Sequence, residues 1–189
     1  MHKKQEEESS RKGFVIGIGL GHGFTNISYE EEYTGYSSQY NYSGYIPRFG
    51  YATNFKIGYT INTNILIHWT AKTNWFIDSR YTLSGSKTVT VVNGFGGPSI
   101  TYFLEPKAPS FFLNGGIGYS NLFEFSSENA KNSFGFGFCT GVGYEFAKYW
   151  NLELNYYWGT SKIKIEDYKR YEEDTTPFTV VLTINFLWY

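Results

Sequence analysis

Cysteine is almost missing: Cys139 is alone in 189 residues, so no disulfide can form within the chain. No charge of one sign dominates either. Sixteen basic residues stand against 17 acidic ones, a net charge of −1. Without a basic surplus to replace counterions, nucleic acid is excluded as a partner. Charged residues make up only 17% of the chain, against about 25% in an ordinary soluble domain. No apolar run approaches the ~20 residues of a membrane helix, and mean hydropathy is negative. No signal peptide is visible, because Glu6, Glu7 and Glu8 sit where an apolar core should follow the basic start. Residues 1–13 are expected to form a charged, flexible tail, and residues 14–189 one domain.

Aromatics and glycine are abundant. Tyr (18), Phe (17) and Trp (5) together supply 21% of the residues, beside 21 glycines and five prolines. From Gly13 onward these are sorted with a period of two. Phe134, Phe136, Phe138, Val142, Tyr144 and Phe146 alternate with glycine, Cys139 and Glu145; Leu152, Leu154, Tyr156 and Trp158 alternate with Glu153, Asn155, Tyr157 and Gly159. Phe178, Val180, Leu182, Ile184, Phe186 and Trp188 alternate with Thr179, Val181, Thr183, Asn185 and Leu187. Such alternation marks strands with one apolar face and one polar or small face. The same reading predicts strands over 14–25, 46–60, 65–78, 88–103 and 111–121, eight in all. In the fourth, Val89, Val91 and Phe95 change phase with Ile100 and Tyr102, so a bulge is expected at Gly96-Gly97-Pro98. Connections 62–64, 105–110 and 147–149 are short; 26–45, 79–87, 124–132 and 166–176 are longer and more polar.

The two faces fit only one wet side. The small face is largely glycine, where a water-facing strand would carry Lys, Glu and Thr. The large face is too bulky for the inside of an eight-stranded barrel, which barely holds side chains. Apolar residues outward to lipid and small or polar ones inward satisfy both. The expected fold is therefore all-β, a closed eight-stranded antiparallel up-and-down transmembrane β-barrel. Short turns and both termini are expected on the periplasmic side.

The stretches PSFFLNGGIGYS (109–120), GFGFCTGVGYEFAKYWNLELNYYWG (135–159) and TVVLTINFLWY (179–189) resemble the eight-stranded outer-membrane β-barrel family. These are the small barrels akin to the transmembrane domain of outer membrane protein A. The resemblance implies an outer-membrane location, insertion by the barrel-assembly machinery, and a terminal aromatic, Tyr189, as assembly signal. Parity places Trp188 rather than Tyr189 on the lipid face.

Strand parity directs Arg48, Lys56, His68, Lys72, Glu145 and Glu153 into the lumen. Glu145 and Glu153 flank the 147–149 turn and are expected to face each other, with Lys56 and Lys72 supplying the cation that like charges need. No nucleophile, base and acid share a spacing that would make an enzyme, and three scattered histidines with one cysteine offer no metal-ligand set. No cofactor is expected. The segment 26–45 carries Tyr29, Tyr33, Tyr36, Tyr40 and Tyr42 among Ser, Gly and Asn, the composition of a contact surface. The reading favoured for it is a strand extension above the membrane with ordinary cross-strand aromatic pairs. The expected role is structural or surface-interaction, with the lipid bilayer and an extracellular ligand or host surface as partners, as a monomer. The alternatives are a narrow channel for small hydrophobic or ionic solutes and a soluble lipocalin-like carrier.

Overall fold

The computed structural model describes residues 11–35, 38–82, 85–125, 131–161, 163–165, 171–173 and 177–189. Of these, residues 28–46, 79–87, 131, 163–165 and 171–173 are described by their backbone pairing. The strands are β1 (Gly13–Gly35), β2 (Ser38–Asn62), β3 (Ile65–Thr82), β4 (Gly85–Phe103), β5 (Ser110–Phe125), β6 (Lys131–Ala147), β7 (Trp150–Gly159), β8 (Ile163–Ile165), β9 (Tyr171–Glu173) and β10 (Phe178–Trp188). Eight of them close a barrel in the order β1-β10-β7-β6-β5-β4-β3-β2, every pair antiparallel. The short β8 and β9 pair as a separate two-stranded sheet.

Alternation sets the two faces. Leu20 is 72% exposed, Phe49 79% and Ile77 69%, and the apolar residues of the other strands join them in a continuous outward band. On a water-soluble protein such a band would exceed by far the few hundred Å² of apolar patch that is tolerated. One polar cluster on this face is paired within itself: Thr53 and Thr73 hydroxyls lie 2.5 Å apart, and Trp75 Nε1 donates to Thr73 Oγ1 at 2.9 Å. Closure does the same for the backbone, which lipid cannot solvate. Ile18 sits mid-band on β1 and is 62% exposed. Ile18→Arg is expected to cost about 2–4 kcal/mol of unfolding free energy in lipid vesicles. A change within about 0.5 kcal/mol, as on an ordinary wet surface, would contradict a lipid-facing band.

Inward residues are small where a neighbour needs the space. A Cβ on Gly143 would stand 2.1 Å from the Phe112 ring, so the glycine is what lets that ring fill the lumen.

Two expectations need correction. There is no bulge in β4. Its register with β3 runs unbroken from Ile65↔Tyr102 through Trp69↔Pro98 to Thr82↔Gly85. Val89, Val91 and Phe95 therefore keep the parity of Ser99 and Thr101 and point inward, where all three are buried. The outward positions of β4 include Gly94, Gly96 and Pro98, and the Tyr119 ring of β5 lies over Gly96, 2.4 Å from where a Cβ would stand. Neighbouring aromatics thus coat a strand that has few of its own. The connection 79–87 is also largely strand, β3 and β4 staying paired to Thr82↔Gly85, and β5 and β6 run on to Glu124↔Lys131; in 26–45 the strand extension that its sequence suggested is present, with β1 and β2 paired to Gly35↔Ser38.

Candidate functional site

The lumen is filled in layers, and the ion pairs among the described residues fall into three groups. At the short-turn end, Glu145 of β6 is buried completely. The guanidinium of Arg11, which precedes β1, reaches it through Nε at 2.9 Å and through Nη2. Arg11 Nη1 donates to the carbonyls of Thr63 (3.1 Å) and Glu105 (2.8 Å), in the turns after β2 and β4. Its plane lies 3.8 Å from the Phe103 ring centroid, within cation–π range. Tyr189, one residue past β10, donates its hydroxyl to the other Glu145 oxygen at 2.6 Å. Burial, reinforced by that bond, pushes the Tyr189 phenol well above its ordinary pKa. Val15, Leu66, Phe103, Phe112 and Leu187 pack around this end as an apolar plug. Arg11 is 1% exposed, so the segment read from its composition as a solvated tail ends inside the barrel. Parity was the available signal: Arg11 is in phase with the inward residues Val15, Gly17 and Gly19.

Glu145 and Glu153 do not oppose each other. Glu145 pairs with Asn151 and Glu153 with Gly143; without the register irregularity between Glu145 and Ala147 the two-residue turn would set Glu145 opposite Leu152, so neither register pairs the two glutamates. Tyr149 in that turn has a φ of 74°, the left-handed conformation a tight turn demands. Lys56 and Lys72 accordingly do not bridge the two glutamates. Both bind Glu153: Lys56 Nζ lies 2.5 Å from Oε2 and Lys72 Nζ 2.9 Å from Oε1. Asn114 donates to Oε1 at 3.0 Å and Asn185 to Oε2 at 3.3 Å. Asn54 links the layer by donating to Asn185 Oδ1 at 2.9 Å. His68 lies beside this group on β3, its Nε2 2.9 Å from Thr101 Oγ1.

Above the charged layer, Ala52, Phe95, Cys139, Tyr157 and Val181 form a second apolar stratum. Next comes a hydroxyl and amide layer, in which Thr25 and Thr179 hydroxyls are 2.7 Å apart and Asn93 and Asn74 donate to them at 2.6 and 2.8 Å. The third apolar stratum holds Ile27, Phe76, Val89, Val91 and Leu122. Arg48 is not part of the central network. It is partly exposed toward the hairpin end, and its Nε and Nη2 both contact Asp78 Oδ1.

Tyr29, Tyr33, Tyr40 and Tyr42 lie on the paired backbone of the β1–β2 hairpin, with Tyr33 opposite Tyr40, but their side chains and all of Tyr36 lie outside the described residues. Among the described residues no three His, Cys, Asp or Glu side chains group to hold a metal. Sequence reasoning named the central ions but missed Arg11, Asp78 and the amides Asn54, Asn114 and Asn185. Those amides carry inward parity and could have been found by it.

No protein-family model and no curated protein sequence matches the chain. Solved structures do. The outer membrane protein OprG of Pseudomonas aeruginosa superposes with a TM-score of 0.63 at 12% identity, over 95% of this chain and 98% of that one. Ail, the attachment invasion locus protein of Yersinia pestis, in complex with the heparin analogue sucrose octasulfate, gives 0.54 at 8% identity over 93% and 99%. Neisserial surface protein A gives 0.52 at 13% identity over 92% and 96%. With its closed ring, outward apolar band and filled lumen, the chain has the fold of the small eight-stranded outer-membrane β-barrels.

Proposed function

We propose that this protein resides in an outer membrane as a structural or surface-contact element, its work done by its wall and by the hairpins above it. The observation that carries this is the filled lumen: Arg11, Glu145, Lys72, Glu153, Phe95 and Tyr157 are each at most 2% exposed and come from five different segments of the chain, Glu153 and Tyr157 sharing β7. Three apolar strata separate the polar layers, and each is a barrier to hydrated solutes. Beyond the band, the β1–β2 hairpin carries five tyrosines and three glutamates between residues 29 and 42. Such a surface suits an extracellular ligand or host surface, the class of contact implied by the name of Ail. The barrel-assembly machinery and the bilayer are its other partners, and it acts as a monomer.

The test has two arms. Purified protein in planar bilayers should produce no conductance steps. Deleting residues 30–42 should abolish adhesion of expressing cells to host-cell and matrix-coated surfaces while leaving heat-modifiable gel mobility, the sign of a closed barrel, intact. Undiminished adhesion with a closed barrel would refute the contact role. A second reading, a narrow conduit for small hydrophobic or ionic solutes, draws on the charged layer around Glu153. Steady conductance by the parent protein, altered by Glu153→Ala, would favour it.

A further inference from the structure

The central layer does not balance its own charge. Two ammonium groups, Lys56 and Lys72, share one carboxylate, Glu153. The other lumen carboxylate near this level, Glu145, is engaged by Arg11 and Tyr189. The remaining neighbours of the layer are the neutral amides Asn54, Asn114, Asn151 and Asn185, the His68 imidazole and the Cys139 thiol, and none of them is a carboxylate. One positive charge is therefore in surplus.

Solvent cannot neutralise it. Phe103, Phe112 and Leu66 close the lumen on one side of the layer, and Phe95, Tyr157 and Val181 close it on the other. Mobile counterions screen exposed charges, but buried ones are screened far less, and an uncompensated ion in a low-dielectric interior is strongly disfavoured. Both lysines keep their charge only with a counter-charge beside them; a layer relieved by loss of a proton instead would show no bromide dependence.

Donors are available to hold it. A lysine ammonium carries three N–H groups, and the one hydrogen bond from Lys56 goes to Glu153, with the Phe112 ring centroid 5.8 Å away. Two further buried polar groups near the layer have no protein partner. His68, 4% exposed, is bonded at Nε2 and unpartnered at Nδ1. Asn155, 1% exposed, is unpartnered at both amide atoms and lies two residues from Glu153 on the same face of β7. His68 stands two residues from Thr70, the cross-strand partner of Lys56, a diagonal of about 7–8 Å that small species can bridge. Spare cationic donors, an open imidazole nitrogen and an open amide within one sealed layer match a small monovalent anion with its residual hydration.

We infer that the lumen binds one halide-sized inorganic anion at the Lys56–Lys72 pair, occluded between the Phe112 and Phe95 strata. This inference concerns the charge of the lumen and does not depend on what the hairpins contact.

Bromide is the probe. The full chain is refolded into detergent at constant ionic strength, with sodium bromide replacing sodium gluconate, whose anion is too large for the layer. Ligand that binds only the folded state stabilises it by mass action. Above saturation, the unfolding equilibrium constant of the parent should fall about tenfold for each tenfold rise in bromide. Lys72→Gln leaves a balanced Lys56–Glu153 pair, so it should fold in the absence of bromide and lose that dependence, whereas Lys72→Arg should keep it. Crystals grown from bromide-refolded parent should show an anomalous peak beside Lys56 and Lys72. Equal bromide dependence in the parent and Lys72→Gln, or a lumen with no anomalous peak, would overturn the proposal. If Lys72→Gln fails to fold, Lys56→Gln provides the same comparison and the diffraction result stands on the parent alone.

Discussion

Glu153→Gln is expected to lower the unfolding free energy of the barrel by about 3–5 kcal/mol, the range for removing one partner of a buried ion pair. The substitution keeps the shape of the side chain and removes its charge. Lys56 and Lys72, both buried, would then face each other across a neutral amide that accepts less strongly than a carboxylate. Asn114 and Asn185 would also each compete for an acceptor half of whose capacity has become a donor. Urea unfolding followed by tryptophan fluorescence measures the loss. The companion Lys72→Gln should be far milder, because it leaves a one-to-one pair. If the two substitutions cost the same, the layer is held by packing and hydrogen bonding, and charge is not what organises it.

Arg11→Ala should cost a similar amount, about 3–5 kcal/mol, although it alters a residue outside the barrel strands. It removes both contacts to Glu145, the carbonyl contacts to Thr63 and Glu105, and the cover over Phe103. Most of the penalty comes from the carboxylate left behind, with Tyr189 as its remaining hydrogen-bond donor. The double change Arg11→Ala/Glu145→Gln should therefore recover part of the stability, since no buried charge is orphaned. The temperature at which gel mobility shifts reads this directly. A double variant no more stable than Arg11→Ala alone would mean that the arginine acts through its packing.

How much of this was legible in the sequence can be judged residue by residue. Alternation located the eight spanning strands and sorted Phe14, Ile16, Ile18 and Leu20 from the glycines between them, because pleating forces neighbours to opposite faces. It could not say that an apolar row always lies outside. Val89, Val91 and Phe95 are apolar because the lumen at their level needs filling, and reading them as lipid-facing created a bulge that β4 does not have. Charge composition misjudged Arg11: seven of the eleven residues from Met1 to Arg11 are His, Lys, Arg or Glu, and the run hides the parity of its last member. The pairing of Glu145 with Asn151 was invisible for a different reason. A single irregularity beside a turn moves every cross-strand partner beyond it, and backbone geometry of that kind leaves no trace in residue type. The hairpin extensions were ambiguous because Tyr, Ser, Gly and Asn serve a paired strand and an open loop equally.

The Glu145 clamp has a consequence for how this chain can be cut or joined. Its two partners come from opposite ends of the chain, Arg11 upstream of β1 and Tyr189 downstream of β10, and they meet on a residue of β6. The clamp therefore reports on completeness. A translation product that stops short of Tyr189, or a fragment that starts at β1, lacks one half of it however well its remaining strands pair. Only a ring with both ends in place can assemble it, so this one carboxylate distinguishes a finished barrel from one that is merely closed.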